Sequence, residues 1–141
     1  MNTKKEKGDI GLSKAIASLV LQKIHVSIPI SEDLKYDLLG EKDGIIKRVQ
    51  VRFSTPVNDI LPVKLKSSWS NRQGVHINKR KQGDFDILAV YCPKNDNVYF
   101  VDDSEFTNTT SINIRLKDRK QRNQHPARFA EDFIDCTRYF N

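Results

Sequence analysis

The chain has 141 residues, a length that suits one domain with a single hydrophobic core. Its 24 basic and 18 acidic residues give a net charge of +6, which is compatible with nucleic-acid binding but also occurs in basic proteins that bind none. Cys92 and Cys136 do not form a disulfide framework or a metal-spaced set, and the longest apolar run, 15–21, is too short to span a bilayer. These features predict a protein of the cytoplasm or an organellar interior that is not secreted.

The first half of the chain predicts a helix followed by short strands. Apolar residues recur at helical spacing from Leu12 to Val20, and Gly8 or Asp9 is the candidate N-cap. Alternation predicts a strand at 25–30. Asp43-Gly44 between two apolar segments then predicts a β-hairpin across 36–53, and another strand is expected at 61–66.

The second half begins with residues 67–83, where the alternation disappears and a polar loop is expected. The apolar run 87–91 predicts a buried strand, 98–101 a second one, 102–106 a short helix and 111–116 another strand. A polar tract covers 117–126, and a closing helix would hold Phe129, Phe133 and Ile134 on one side. This order predicts an α/β or α+β layered domain that spans residues 1–141.

The hairpin holds a candidate site. Asp37 opens its first strand, and along its second strand Arg48, Gln50 and Arg52 share one face because side chains alternate with a period of two. A carboxylate beside a polar and cationic strand is the skeleton of a metal-dependent nuclease centre. The alternative for Asp37 is a structural acid in an Asx turn or an ion pair with Lys47 or Arg48.

Short sequence motifs occur in order along nearly the whole chain, namely Met1-Asn2-Thr3-Lys4, Lys7-Gly8-Asp9-Ile10, Pro29, Tyr36-Asp37-Leu38, Val49-Gln50-Val51, Ser67-Ser68-Trp69, Asp84-Phe85-Asp86 and Arg119-Lys120-Gln121-Arg122. As an ordered set they resemble the PD-(D/E)XK homing endonucleases encoded within group I introns, best known from cyanobacteria. The resemblance implies a restriction-endonuclease-like domain with a central mixed β-sheet flanked by helices. It also implies cleavage of double-stranded DNA with Mg²⁺ and a homo-oligomer, either a tetramer or a dimer.

The family pattern has a glutamate on the first helix, an aspartate opening the hairpin, and then Gln-x-Lys. Asp37 and Gln50 match this pattern, whereas Leu12 stands at the glutamate position and Arg52 at the lysine position. By resemblance, Asp37 and the Val51 carbonyl would bind the metal, and the catalytic residues would be Asp37, Gln50 and Arg52.

The two departures bear on the chemistry. With one carboxylate, the site should bind Mg²⁺ weakly, because Mg²⁺ requires hard oxygen ligands. Arg52 remains protonated, so it could clamp a phosphate through two hydrogen bonds but would activate water poorly. Leu12 extends the apolar stripe of the helix and is expected in the core. Asp9 could stand in for the missing acid, and Lys64 or Lys66 for the missing lysine.

Two basic tracts are the candidate DNA-contacting surfaces, because Lys and Arg neutralise phosphates while Asn and Gln contact base edges. Solvated loops are the alternative. The cations of the two tracts are Arg72, Lys79, Arg80, Lys81, Lys117, Arg119, Lys120 and Arg122.

Three functions are therefore compatible with the sequence. The first is a metal-dependent, site-specific, double-stranded DNA endonuclease of the homing type with an altered centre. The second is a decayed member of the same family that binds DNA and cleaves little or none. The third is an unrelated interaction domain whose basic loops bind an acidic protein or RNA.

Overall fold

The structure is a computed structural model that describes residues 2–65, 67–78, 83–105, 111–116 and 128–141. Within these residues there is one long helix, α1, which runs over Lys4–Leu21. Thr3 is its N-cap, because Thr3 Oγ1 accepts a 3.1 Å hydrogen bond from the Glu6 N–H. The predicted caps, Gly8 and Asp9, were wrong, since both lie inside the helix.

Ten strands follow α1 within the described residues. They are β1 His25–Ser27, β2 Leu38–Lys42, β3 Ile45–Phe53, β4 Ile60–Lys64, β5 Ser67–Asn71, β6 Gly74–Asn78, β7 Ile87–Cys92, β8 Asn97–Asp102, β9 Ser111–Arg115 and β10 Arg128–Phe129. A five-stranded mixed sheet has the order β1-β2-β3-β7-β8, and only its β3–β7 pair is parallel. A three-stranded sheet has the order β10-β9-β4.

The predicted hairpin is confirmed as the antiparallel pair β2–β3, in which Leu38 is opposite Val49. Its turn residues, Asp43 and Gly44, have positive φ angles of 51° and 81°. These angles match the turns that join strands through two residues, and Asp-Gly tolerates them. The turn therefore fixes the register of the strand that carries the candidate site.

The two faces of the five-stranded sheet are covered differently. On one face, α1 packs through Ala15 and Leu19 against Val49 and its neighbours. On the other face, Leu88 and Val90 of β7 share a core with Leu61 and other residues of the three-stranded sheet. A second sheet therefore covers the face opposite α1.

Two expected elements differ in the structure. The segment at 67–83 was expected to be a loop, but β5 and β6 form an antiparallel hairpin there, in which the alternation of Val75 and Ile77 in β6 is short. The closing helix is replaced by β10 and by 3-10 turns at Ala130–Phe133 and Thr137–Phe140. Phe129 and Phe133 are buried as expected, whereas Ile134 is exposed.

The remaining strands and the short helix agree with the sequence to within a few residues, the helix being a 3-10 turn at Asp103–Glu105. Of the helices that the structure describes, none is long and apolar enough to cross a membrane.

Candidate active site

Asp37 lies at the end of the β2–β3 ladder, one residue before β2 begins. Its N–H donates a 2.8 Å hydrogen bond to the Val49 carbonyl, and its Oδ2 accepts a 2.8 Å hydrogen bond from the Val51 N–H. The side chain therefore takes the place of a strand carbonyl as the partner of Val51. Asp37 remains exposed, so its carboxylate borders solvent.

The Val51 carbonyl lies on the same side of β3 as this carboxylate, and Gln50 precedes Val51 in the strand. In an antiparallel pair, the N–H and C=O of one residue point to the same neighbouring strand. The Val51 carbonyl therefore points to the Asp37 side, as its N–H does. Gln50 follows Val49 and is half-buried on the face opposite α1. The hairpin thus brings the Asp37 carboxylate and the Val51 carbonyl to the same side of β3.

Arg52 completes this group of residues. Its Nε donates a 3.3 Å hydrogen bond to the Lys64 carbonyl at the end of β4. Burial lowers the pKa of the Arg52 guanidinium, and the nearby Asp37 carboxylate opposes that shift. The Asp37 and Arg52 charges are therefore close enough to influence each other.

Lys64 is poorly placed to replace the missing lysine. Along β4, Leu61 and Val63 are buried while Pro62 and Lys64 are exposed. Because side chains alternate along a strand, the Lys64 side chain points to the face of β4 that lies away from the core. Its carbonyl, rather than its ammonium group, contacts the site. Lys66 lies outside the described residues.

The position of the missing acid is occupied by a packed leucine. Leu12 packs against the core between α1 and the sheet, as expected. The neighbouring Gly11 approaches β3 closely, with the ideal Cβ position 3.6 Å from Phe53 Cβ and 3.7 Å from Val51 Cγ1. Asp9 lies within the helix and is exposed. Its role as a substitute acid remains a prediction.

The donors in this part of the molecule do not fit a divalent metal well. Among the described residues, no three His, Cys, Asp or Glu side chains cluster so that they could hold a metal ion. Asp37 offers one carboxylate, of which one oxygen already accepts the Val51 N–H. Mg²⁺ prefers several oxygen ligands in near-octahedral geometry. The described site instead combines one anion with one fixed cation.

Arg48 lies on the same strand face but has a different role. Its guanidinium binds Asp86, which immediately precedes β7. Among the described ion pairs, Arg48 is therefore bound by Asp86 and not by Asp37. Sequence reasoning assigned Asp86 no role, although a carboxylate just before a buried strand is a sign of such a tie.

The predicted DNA-contacting cations are only partly described. Arg72 is exposed at the turn between β5 and β6. The other predicted cations lie outside the described residues, namely Lys79, Arg80, Lys81, Lys117, Arg119, Lys120 and Arg122.

The structure adds a cation that sequence reasoning missed. Lys7 of α1 lies with its Nζ 5.9 Å from the ring centroid of Phe53, the residue that follows Arg52. The lysines at positions 4, 5 and 7 could have indicated this. The start of α1 therefore brings positive charge to the same end of β3 as the site.

Comparison with known proteins identifies the fold and the family of the chain. No curated protein sequence matches the chain. The solved structure of a bacterial homing endonuclease, I-Ssp6803I, is similar with a TM-score of 0.74 and 23% sequence identity, over 94% of this chain and 88% of that chain. The similarity confirms the mixed α+β, restriction-endonuclease-like fold expected from the sequence. The family model described as PD-(D/E)XK endonuclease matches residues 1–135, and the chain therefore belongs to the PD-(D/E)XK endonuclease family.

Proposed function

We propose that this protein is a homing-type member of the family that recognises a specific site in double-stranded DNA and hydrolyses it weakly. The observation that carries the proposal is the hydrogen bond from the Val51 N–H to Asp37 at the end of β3, with the Arg52 charge near that carboxylate. By resemblance to the family, this is where the reacting phosphate would bind. Leu12 and Arg52, however, remove one acid and replace the lysine.

The residues present support phosphate binding better than hydrolysis. Family nucleases use divalent metals to activate water and to offset charge on the phosphate. Mg²⁺ was expected here, with Asp37 and the Val51 carbonyl as ligands, but the described donors include a single carboxylate. Arg52 could hold a phosphate, and Gln50 could hydrogen-bond to it, yet neither side chain is a good base. Binding should therefore exceed cleavage.

Duplex DNA is the proposed partner because the chain carries a net charge of +6 and belongs to a nuclease family. A homo-oligomer, a dimer or a tetramer, is proposed from the resemblance, as is an origin within a group I intron.

We also propose one domain spanning residues 1–141 in a cytoplasmic or organellar compartment, where the buried free thiols of Cys92 and Cys136 would stay reduced. Light scattering tests the oligomer, and a single cooperative unfolding transition would support the single domain.

The decisive experiment is the double substitution Leu12→Glu with Arg52→Lys. A duplex that the parent protein selects from a random pool serves as substrate. We expect little or no cleavage by the parent in Mg²⁺ and at least tenfold faster cleavage by the double variant. The matched control, Leu12→Gln with Arg52→Lys, has a side chain of similar size but no second charge and should stay slow. If the double variant folds and binds this duplex but remains inert, the assignment of the active site is wrong.

A second candidate is a decayed family member that only binds DNA. It is favoured by the packing of Leu12 in the core, since the fold needs that contact whether or not the site hydrolyses DNA. Complete absence of cleavage by the parent, with steep loss of duplex affinity between low and moderate salt, would select it. Affinity that does not depend on salt would instead favour the unrelated interaction domain.

A further inference from the structure

We propose that Arg52 takes the place of the divalent metal and binds a DNA phosphate directly, so that this protein binds duplex DNA without divalent cations. The inference rests on the proposed function in one respect, namely that duplex DNA is the ligand. It goes further because it assigns the phosphate-binding group and the metal requirement of binding. The ligand class is a phosphodiester of duplex DNA.

The Arg52 guanidinium makes one hydrogen bond within the described residues and keeps further N–H donors. Arg52 Nε donates to the Lys64 carbonyl at 3.3 Å, which fixes the plane of the group against the end of β4. No other hydrogen bond of its side chain is made within the described residues. The two terminal nitrogens thus remain as donors, and a guanidinium can present two parallel N–H groups to two phosphate oxygens.

Arg48 provides an internal comparison two residues earlier on the same strand face. Its Nε and one terminal nitrogen are both bound by the Asp86 carboxylate, so Arg48 is committed to the fold. Within the described residues, Arg52 is bound only to a neutral carbonyl, with Asp37 as the neighbouring anion. A phosphate can therefore approach Arg52 without breaking an ion pair of the kind that holds Arg48.

The surroundings of Arg52 favour an anion over a metal ion. Arg52 is half-buried, so its charge is screened less than that of a fully exposed side chain. A divalent ion bound at Asp37 would lie beside this fixed positive charge. A lysine could lose its proton to relieve such repulsion, but a guanidinium stays charged. With one oxygen of Asp37 already accepting the Val51 N–H, little remains to attract the metal.

The first test measures duplex affinity with and without divalent cations. The probe is a fluorescent duplex selected by the parent protein from a random pool in EDTA, and ionic strength is matched throughout. We expect dissociation constants in EDTA, Mg²⁺ and Ca²⁺ that agree within about twofold. Binding that is tenfold tighter with either cation would overturn the inference. Failure to bind any duplex at low salt would overturn both this inference and the proposed function.

The second test asks whether Arg52 touches a phosphate. Arg52→Gln is compared with Lys23→Asn. Lys23 is exposed and lies just beyond the end of α1, so this control also removes one positive charge. One lost phosphate contact should reduce the slope of log affinity against log salt by about 0.9. We expect that reduction for Arg52→Gln and almost none for Lys23→Asn. Equal slopes for the two variants would overturn the inference.

Metal binding itself provides a third measurement that does not depend on cleavage. The probe is Mn²⁺ alone, followed by electron paramagnetic resonance. The parent should not bind Mn²⁺ at concentrations where the variant Leu12→Glu with Arg52→Lys does. Folding of that variant is checked by circular dichroism, and Arg52→Lys alone serves if the double variant does not fold. Binding of Mn²⁺ by the parent that Asp37→Asn removes would show that the metal site persists and would overturn the inference.

Discussion

Asp86 binds Arg48 through both of its side-chain oxygens and through the backbone. Oδ1 accepts from the terminal nitrogen of Arg48 at 3.1 Å, and Oδ2 accepts from Nε at 3.2 Å and from the Arg48 N–H at 2.8 Å. The Asp86 N–H in turn donates to the Arg48 carbonyl at 2.9 Å. The contact ties the start of β7 to β3 where their parallel pairing begins.

This tie predicts a pH-dependent stability. The Arg48 hydrogen bonds lower the pKa of Asp86 below its ordinary value, although burial opposes them. The stability from this charge is therefore fully present above the unfolded pKa of about 4, and it is lost as the pH falls through the lower native pKa. Asp86→Asn should lower the free energy of unfolding at pH 7 by about 1 kcal/mol, and the difference should vanish in strong acid.

Urea denaturation at a series of pH values measures this effect. The matched control is Asp33→Asn, which neutralises an exposed carboxylate and should change stability little at any pH. A constant difference between the parent and Asp86→Asn down to the lowest pH would show that the charge of Asp86 is not what stabilises the fold.

Two substitutions should separate the structural role of Asp37, its hydrogen bond with Val51, from the role of its negative charge in cleavage. Asp37→Asn keeps an oxygen that can accept the Val51 N–H but removes the negative charge. It should abolish any residual DNA cleavage while leaving folding and duplex binding intact. Asp37→Ala also loses the hydrogen bond and should cost about 1 kcal/mol of stability. Cleavage assays and thermal unfolding distinguish these effects, and normal turnover by Asp37→Asn would remove Asp37 from the mechanism.

Gly40 should not tolerate a side chain. A Cβ at this position would lie 3.0 Å from Ile24 Cγ2 and 3.1 Å from the Phe140 ring. Gly40→Ala should therefore destabilise the fold by about 1–3 kcal/mol through overpacking. The control is Gly8→Ala, because a Cβ there meets nothing within 4 Å and alanine favours a helix by about 1 kcal/mol. Thermal unfolding should move in opposite directions, and equal shifts would contradict the packing argument.

Gln22 should control how firmly the C-terminal segment is attached. Its Oε1 accepts from the Cys136 N–H at 2.8 Å, and its Nε2 donates to the Ile134 carbonyl at 3.1 Å. Gln22→Leu breaks both bonds and should cost about 2 kcal/mol. Gln22→Glu keeps only the acceptor and should have an intermediate effect. Hydrogen exchange measures the result, and unchanged protection of residues 134–140 in Gln22→Leu would refute it.

Local patterns in the sequence determined most of the elements near the site. The apolar spacing of α1 and the Asp43-Gly44 turn predicted the helix and the hairpin, because each depends on residues close together in the chain. The hairpin register then predicted that Asp37 would lie near Gln50, and the structure places Asp37 beside the neighbouring Val51. The turn chemistry therefore fixed this half of the site in advance.

Local sequence patterns did not predict two elements whose structure depends on backbone pairing or on tertiary packing. The hairpin of β5 and β6 carries only a short apolar alternation, Val75 and Ile77, which is too short to predict a strand by itself. At the C-terminus, Phe129 and Phe133 have a spacing that a helix would also show. The segment instead folds as short 3-10 turns, with Phe140 buried against Gly40. Packing against the sheet thus overrode the local preference.

By itself, the sequence determined the helix, the hairpin and the loss of one acid and one lysine from the family pattern. Only the tertiary structure decided which partners the remaining charges find. Asp86 and Lys64 are distant from β3 in the chain, and they reach Arg48 and Arg52 through the parallel β3–β7 pairing and the packing of β4. Periodicity sets which face a side chain occupies, but contacts between separate elements depend on how the sheets assemble.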